Sequence, residues 1–257
     1  MPITFAHPLA VIPFRRTKLD FTALIVGSMS PDFLYFIRLS AQAHYGHTFS
    51  GVFFFCVPVG LILIWLFHFI MKKPLLALLP LSHQISLSPP SAQYKFGPRS
   101  RFLLIILSLV FGALTHILWD SFTHEHGWSV QRWPFLQQRL ITILSFDLKL
   151  YKALQYAGGL IGTPFLFWLY WRERKAGIPT TTLFFEYYSP SQKLAIVFAL
   201  ASSAFAVAIW YAFSQSNPFL SANSLYVFIG LTVVTSISAG FVLTLGYSLY
   251  FRFKHRD

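Results

Sequence analysis

The chain has 257 residues, of which 55% are hydrophobic and only 11% are charged, and its formal net charge is +12. A soluble domain carries roughly 25% charged residues, so this composition excludes an ordinary soluble protein. The basic residues lie mostly between long apolar runs, which favours contact with anionic lipid headgroups over nucleic acid. The sequence therefore predicts an all-α, polytopic membrane protein with membrane lipids as its partners.

The N-terminal segment, residues 1–51, is expected to lie at the membrane interface without crossing it. Its first 20 residues are polar-mixed and contain Pro8 and Pro13 after the start, which predicts an extended arm. The apolar stretch that follows is broken at Ser30-Pro31-Asp32, where Ser30 fits an N-cap and Pro31 the first helical position. Two short helices meeting at Ser30 are expected, as an interfacial or re-entrant pair.

Five later runs are each long and apolar enough to cross a bilayer. They lie at about 52–71, 102–119, 154–171, 194–213 and 225–251. We expect a single membrane domain in which residues 52–171 are the core spans and residues 172–257 carry two accessory spans.

The end of the second run carries His116, Asp120 and His124, spaced i, i+4, i+8, so a helix places them along one face. Imidazole nitrogen and carboxylate oxygen are ligands that zinc prefers. An ionisable residue at membrane depth is a functional hypothesis by default. We therefore expect a metal site here. The alternative is a polar helix end whose side chains are only hydrogen-bonded.

Five crossings place the N-terminal segment on the same side of the membrane as His116–His126. That side carries eight Lys and Arg residues and the opposite side carries twelve. The positive-inside rule then predicts a cytoplasmic C-terminus and a site that faces away from the cytoplasm. Arg15 and Arg16 share the side of the site, where they would meet lipid headgroups or, alternatively, a substrate phosphate.

Four short motifs resemble those of an uncharacterised family of bacterial membrane proteins, the domain of unknown function 4184. They are His7-Pro8, Ser30-Pro31-Asp32, Gly46-His47-Thr48 and His116-xxx-Asp120-xxx-Thr123-His124, and the resemblance covers about residues 1–170. That family in turn is distantly similar to membrane-bound metal-dependent hydrolases and to zinc-dependent phospholipases C. In the phospholipases, a His-xxx-Asp pair, a downstream His and an upstream Asp and His hold zinc, and one Asp bridges two ions.

The resemblance implies a set of site residues. Five side chains would hold zinc or another divalent cation: His7, His47, His116, Asp120 and His124. Two carboxylates, Asp32 and Asp120, would be catalytic. The phospholipases also use a later His-xxx-Glu pair, which this chain lacks. The departure favours one or two metal ions over a full multi-zinc site.

The expected function is a membrane-embedded, metal-dependent hydrolase that acts on a phosphoester in a lipid or lipid-linked substrate. Zinc would polarise the phosphoryl oxygen and lower the pKa of bound water toward about 7, and Arg15 or Arg16 would bind the phosphate. Two alternatives remain open. One is a transporter in which the same residues pass protons or metal, and the other is a non-catalytic protein with a structural metal.

Overall fold

The computed structural model describes residues 4–40, 44–87, 94–143, 146–173 and 187–255. Helices dominate this part of the chain, which confirms the all-α prediction. The helices longer than one turn are α1 Phe21–Met29, α2 Phe33–Arg38, α3 Phe49–Leu78, α4 Leu81–Leu87, α5 Arg99–Thr123, α6 Trp128–Arg132, α7 Leu150–Glu173, α8 Pro190–Gln215 and α9 Ala222–Lys254. Strands β1 Arg139–Ile143 and β2 Phe146–Lys149 pair as an antiparallel hairpin, with Arg139 opposite Lys149. Segments of 3-10 helix lie at Thr4–Arg16, Ser30–Asp32, Tyr45–His47 and Pro134–Gln137.

Four helices within the described residues are long and apolar enough to cross a membrane. They are α3, the stretch Arg99–Arg132 (which contains α5 and α6), α8 and α9, with mean hydropathies of 2.0 to 2.4 over their most apolar windows. These match four of the five predicted spans. The remaining one, predicted at about 154–171, does form a helix (α7) but is not among the four. Its buried Gln155, its glycines and its internal Pro164 make it less apolar.

The N-terminal segment differs from the predicted extended arm. Residues Thr4–Arg16 form a 3-10 helix with Pro8 and Pro13 inside it. Proline fixes φ near −65°, which lies within the 3-10 range, so the two prolines are compatible with this helix. The prediction of an arm was therefore wrong.

The predicted pair of short helices is confirmed. Helix α1 leads through the 3-10 turn Ser30–Asp32 directly into α2. Ser30, however, is not the N-cap of that turn, because the residue at that position is Met29 and the Ser30 hydroxyl instead donates to Gly27 O at 2.8 Å.

The chain divides into two compact units. The first comprises the described residues of Met1–Phe33, His44–Leu61 and Phe96–Arg172. The second comprises those of Leu34–Ala43, Ile62–Lys95 and Glu173–Asp257. In the second unit α8 packs along α9, and Arg252 Nε donates to Ile70 O at 2.9 Å.

The core of the first unit is the contact between α1 and α5. Two glycines allow the backbones to meet: a Cβ on Gly112 would lie 2.7 Å from Ser28 N, and one on Gly27 would overlap Leu109 O. The Asp20 carboxylate caps α1 by accepting from Ala23 N at 2.9 Å, and Asp20 N donates to Ser108 Oγ at 2.9 Å. This contact at Gly112, one helical turn before His116, holds the end of α1 against the His116 side chain.

Candidate metal centre

His116 is oriented by the end of α1. The side chain is fully buried, and its Nδ1 lies 2.8 Å from Ser28 O. A carbonyl oxygen can only accept, so Nδ1 carries the proton and a neutral His116 presents the lone pair of Nε2. This is how a metal-binding imidazole is commonly held. Among the described residues, the buried Nε2 atom has no hydrogen-bond partner.

Asp32 reaches the same point from the 3-10 turn after α1. Its Oδ2 accepts from the Thr4 hydroxyl at 2.6 Å, and its Oδ1 faces His116 Nε2 at 3.5 Å. Burial alone would raise the pKa of this carboxyl group, but contact with the His116 and His47 imidazoles and the Thr4 hydroxyl holds it well below its usual value. Asp32 is therefore an anion with one oxygen anchored and one oxygen directed at the histidines.

His47 comes from a separate turn, Tyr45–His47. Gly46 allows this turn to lie against the preceding one, because a Cβ at this position would overlap Pro31 O. His47 Nε2 then lies 3.4 Å from Asp32 Oδ1 and 3.4 Å from Asp120 Oδ2. Burial lowers the pKa of His47, but the Asp120 and Asp32 carboxylates outweigh that effect, and the pKa is raised.

Together these side chains form a four-residue cluster, Asp32, His47, His116 and Asp120, which we call the His/Asp cluster. Each member offers one ligand atom, and the four atoms all lie within 4.8 Å of one another. The imidazole-to-carboxylate distances are 3.4, 3.4, 3.5 and 3.2 Å.

The four imidazole-to-carboxylate distances are close to the ligand spacing around a metal ion, although the four atoms spread over as much as 4.8 Å. Four ligands at about 2.1 Å around a tetrahedral zinc ion are about 3.4 Å apart. Charge-assisted hydrogen bonds between nitrogen and oxygen are shorter, at about 2.7–2.9 Å. Two carboxylates and two neutral imidazoles also balance the charge of one divalent cation. The residues present therefore suit such an ion.

Two further histidines lie at the other oxygen of Asp120. Its Oδ1 is 3.3 Å from His124 Nδ1 and 3.7 Å from His7 Nε2. The His7 ring stacks on His116, with centroids 3.7 Å apart. Burial, together with the neighbouring His116 ring, lowers the pKa of His7 to about 4, so His7 is neutral near pH 7. The structure thus gathers the six His and Asp residues that the sequence singled out as ligands or catalytic groups.

Arg15 and Arg16 are placed differently. They occupy the last turn of the 3-10 helix that carries His7 near its start, and Arg16 is exposed. At about 2 Å per residue, Arg15 lies roughly 16 Å along that helix from His7. The structure does not bring this pair to the His/Asp cluster, and their binding of a substrate phosphate stays a prediction.

Sequence reasoning missed three groups that orient the site: Thr4, the Ser28 carbonyl and Gln155. Gln155 Nε2 donates to His124 Nε2 at 2.9 Å. This contact orients the ring so that His124 Nδ1 faces Asp120 Oδ1 at 3.3 Å. A lone glutamine inside an apolar helix is a signal that could have been noticed. The Ser28 carbonyl has no such signal, since every residue carries one.

The cluster is closed on one side and accessible on the other. Side-chain exposure is 0% for His116 and 4% for Asp32, but 20% for His47 and 35% for His124. A molecule from outside can therefore approach the cluster past His47 and His124.

Comparison with known proteins adds one finding. Residues 1–249 match the family described as Domain of unknown function (DUF4184), which extends the resemblance beyond the first 170 residues. Neither the curated proteins nor the solved structures contain a match to this chain. The similarity to hydrolases and phospholipases is not among these findings and stays an expectation from the motifs. Because the match spans nearly the whole chain, this protein belongs to the DUF4184 family.

Proposed function

We propose that the protein is a membrane-embedded, metal-dependent hydrolase of phosphoesters, whose divalent cation, zinc for example, is held by the His/Asp cluster. One observation carries the proposal. Two carboxylates and two imidazoles from three separate segments meet with their ligand atoms within 4.8 Å, and two of these side chains are almost completely buried. Burying ionisable groups costs free energy, which a bound cation would offset.

A cation in this cluster would supply Lewis acidity, which polarises a phosphoryl oxygen and makes water acidic enough to react near neutral pH. The chain's own groups divide the remaining tasks. The Thr4 hydroxyl and the Ser28 carbonyl hold Asp32 and His116 in position. With a single ion bound on the Oδ2 side, Asp120 Oδ1, which lacks a hydrogen-bond partner among the described residues, would accept the proton of the attacking water. The water oxygen bonds to phosphorus, the ester P–O bond breaks, and the leaving oxygen takes the proton back from Asp120 and departs as an alcohol.

The second metal position remains part of the proposal. His7 Nε2 and His124 Nδ1 both face Asp120 Oδ1, while His47 and His116 face Asp120 Oδ2. This placement supports Asp120 as a bridging ligand and His7 and His124 as ligands of a second ion. Binding through His124 Nδ1 would require the Gln155 amide to turn its oxygen toward His124 Nε2–H, and Asp120 Oδ1 would then be a ligand and not the base.

Four protein ligands around one ion would also suit a structural metal, so catalysis here depends on a coordination position that stays open on the accessible side. Structural zinc sites are closed by four protein ligands, whereas catalytic sites keep one position open to water or substrate. The partial exposure of His47 and His124 gives water or substrate a path toward such a position.

The test is the metal content and phosphoesterase activity of the purified protein. We expect stoichiometric zinc, metal-dependent release of phosphate or alcohol from a phospholipid, loss of activity with a chelator and recovery on adding zinc. His116→Ala should lose both zinc and activity. Thr115→Ala is the matched control, because the Thr115 hydroxyl donates within its own helix, to Gly112 O.

Two results would contradict the hydrolase. The proposal fails if the wild-type protein binds no stoichiometric metal in zinc- or manganese-replete medium. Tight metal binding without activity on any lipid phosphoester, combined with a lower melting temperature after chelation, would instead establish a structural metal.

A further inference from the structure

A cavity of about 340 Å³ lies within the first unit, between the N-terminal 3-10 helix and α7. Binding sites for small molecules usually have volumes of about 300–1,000 Å³, so it is large enough for a ligand. Most of its lining is small or apolar, including Ala6, Leu9, Ala10, Ala157, Gly158 and Gly162. We call it the apolar groove.

Small residues on the facing surfaces of the two helices line this groove. Gln155, Gly158, Gly159 and Gly162 are spaced i, i+3, i+4 and i+7 and therefore share one face of α7. Three of these four residues have no side chain. On the facing 3-10 helix, three residues per turn place Ala6 and Leu9 in one row and His7 and Ala10 in the next.

The groove has a polar end at the proposed metal site. His7 and Gln155 line the same cavity and are 5% and 2% exposed. His7 stacks on His116, and Gln155 donates to His124. Among the described residues, Gln155 Oε1 has no hydrogen-bond partner although it is buried. A buried acceptor without a donor is unfavourable, which points to a ligand hydroxyl or water at this end.

The other end of the groove is open. Trp119 and Ile161 line it and are 43% and 67% exposed. A hydrocarbon chain would lose contact with water along the Ala, Leu and Gly lining without placing any polar atom there. Its polar headgroup would reach His7, Gln155 and the His/Asp cluster.

We propose that the apolar groove holds the hydrocarbon chain of a lipid phosphoester whose phosphate lies at the His/Asp cluster. This inference rests on the proposed hydrolase function and names its substrate class. It makes the chain, as well as the phosphate, a determinant of binding.

The experiment measures binding of dodecyl phosphate, ethyl phosphate and dodecanol to the zinc-loaded full-length protein in nanodiscs of phosphatidylcholine. Ala157→Phe and Ala10→Phe fill the groove from its two sides. Leu160→Phe is the matched control, because Leu160 lies on the same helix, is 71% exposed and is not part of the cavity lining. The bilayer takes up the dodecyl chain equally in every sample. A difference in binding between variants therefore reports the contribution of the groove.

We expect both filled variants to bind dodecyl phosphate at least tenfold more weakly than the wild type. Burying a methylene group is worth roughly a fourfold change in affinity, so losing contact with only two already exceeds this change. Binding of ethyl phosphate and the zinc content should stay unchanged, and Leu160→Phe should behave like the wild type. Dodecanol should bind more weakly than dodecyl phosphate, because it lacks the phosphate.

The inference is overturned if both filled variants, with normal zinc content, bind dodecyl phosphate as tightly as the wild type. It is also overturned if dodecanol binds as well as dodecyl phosphate and equally well after chelation, since the groove would then hold ordinary bilayer chains. Absence of zinc from the wild-type protein would contradict the proposed function itself, and this result is read independently of the groove variants.

Discussion

Asp120 is the residue on which the two halves of the site depend. One carboxylate oxygen faces His47 and His116, and the other faces His7 and His124. Asp120 lies four residues after His116 on one face of α5 and four residues before His124, which is the extended C-cap residue just beyond the helix. A single side chain thus links ligands from α5 with those from the N-terminal segment.

Replacing Asp120 with Asn tests this role. The amide keeps the shape of the side chain and loses the negative charge that attracts a cation. We expect zinc content to fall below one ion per chain and activity to fall at least 100-fold, because changes to groups that merely support a metal ligand already cost about 10- to 100-fold. The measurements are metal analysis and phosphoesterase activity.

Asp147→Asn is the control for this substitution. Asp147 lies on the exposed hairpin, where its Oδ1 accepts from the Thr142 hydroxyl at 2.6 Å. The same change of charge there should leave zinc and activity unchanged. Helicity should be near wild type in both variants. Normal zinc content and activity in Asp120→Asn would rule out a metal ligand role for this carboxylate.

At the level of helices and turns, close backbone contacts assemble the site. Gly27 and Gly112 let α1 meet α5, and Gly46 lets the His47 turn meet the Pro31 turn. In each case a Cβ would overlap backbone atoms, which cannot move aside as a flexible side chain can. The histidines converge because these elements approach so closely.

Gly46→Ala tests the second of these contacts. The added methyl group would meet Pro31 O, so the turn carrying His47 must shift. Overpacking of this kind costs about 1–3 kcal/mol. If the displacement of His47 relieves the strain, zinc binding should weaken by roughly 5- to 150-fold, as measured by competition with a chelator of known affinity.

Gly230→Ala provides the comparison. A Cβ at Gly230 meets nothing within 4 Å, and alanine favours a helix over glycine, so this variant should be at least as stable as the wild type and bind zinc normally. Equal zinc affinity in Gly46→Ala and the wild type would show that the close contact at Pro31 does not position His47.

The local parts of this arrangement were predictable from sequence. The spacing of His116 and Asp120 predicts one helix face, and the break at Ser30 predicts two short helices. His124 was predicted on the same face but is the extended C-cap residue after α5. Thr4 and Gln155 were not found, since their roles arise from contacts with residues 28 and 31 positions away along the chain. The 3-10 helix was missed because its prolines also fit an extended arm.

At the scale of the whole molecule, the number of crossings decides which side the site faces. Five crossings place the C-terminus opposite the site and predict a site outside the cytoplasm. Within the part of the chain that the structure describes, four helices are suited to crossing, and α7 is not among them. Four crossings place both termini on the side of the site. That side then holds fifteen of the twenty Lys and Arg residues, leaving Lys72, Lys73, Lys95, Arg99 and Arg101 on the other.

A ratio of fifteen to five is a stronger asymmetry than twelve to eight, so the positive-inside rule favours four crossings and a site on the cytoplasmic side.

The test combines two measurements in intact cells. A fluorescent reporter that matures only in the cytoplasm is fused after Asp257, and His126→Cys, at an exposed position beyond α5, is probed with a membrane-impermeant thiol reagent. Four crossings predict a fluorescent fusion and a cysteine that is labelled only after the cells are opened. A fluorescent fusion with labelling in intact cells would show that α7 crosses and would restore the outward-facing site. The wild-type protein, whose single cysteine Cys56 is buried, gives the background level of thiol labelling.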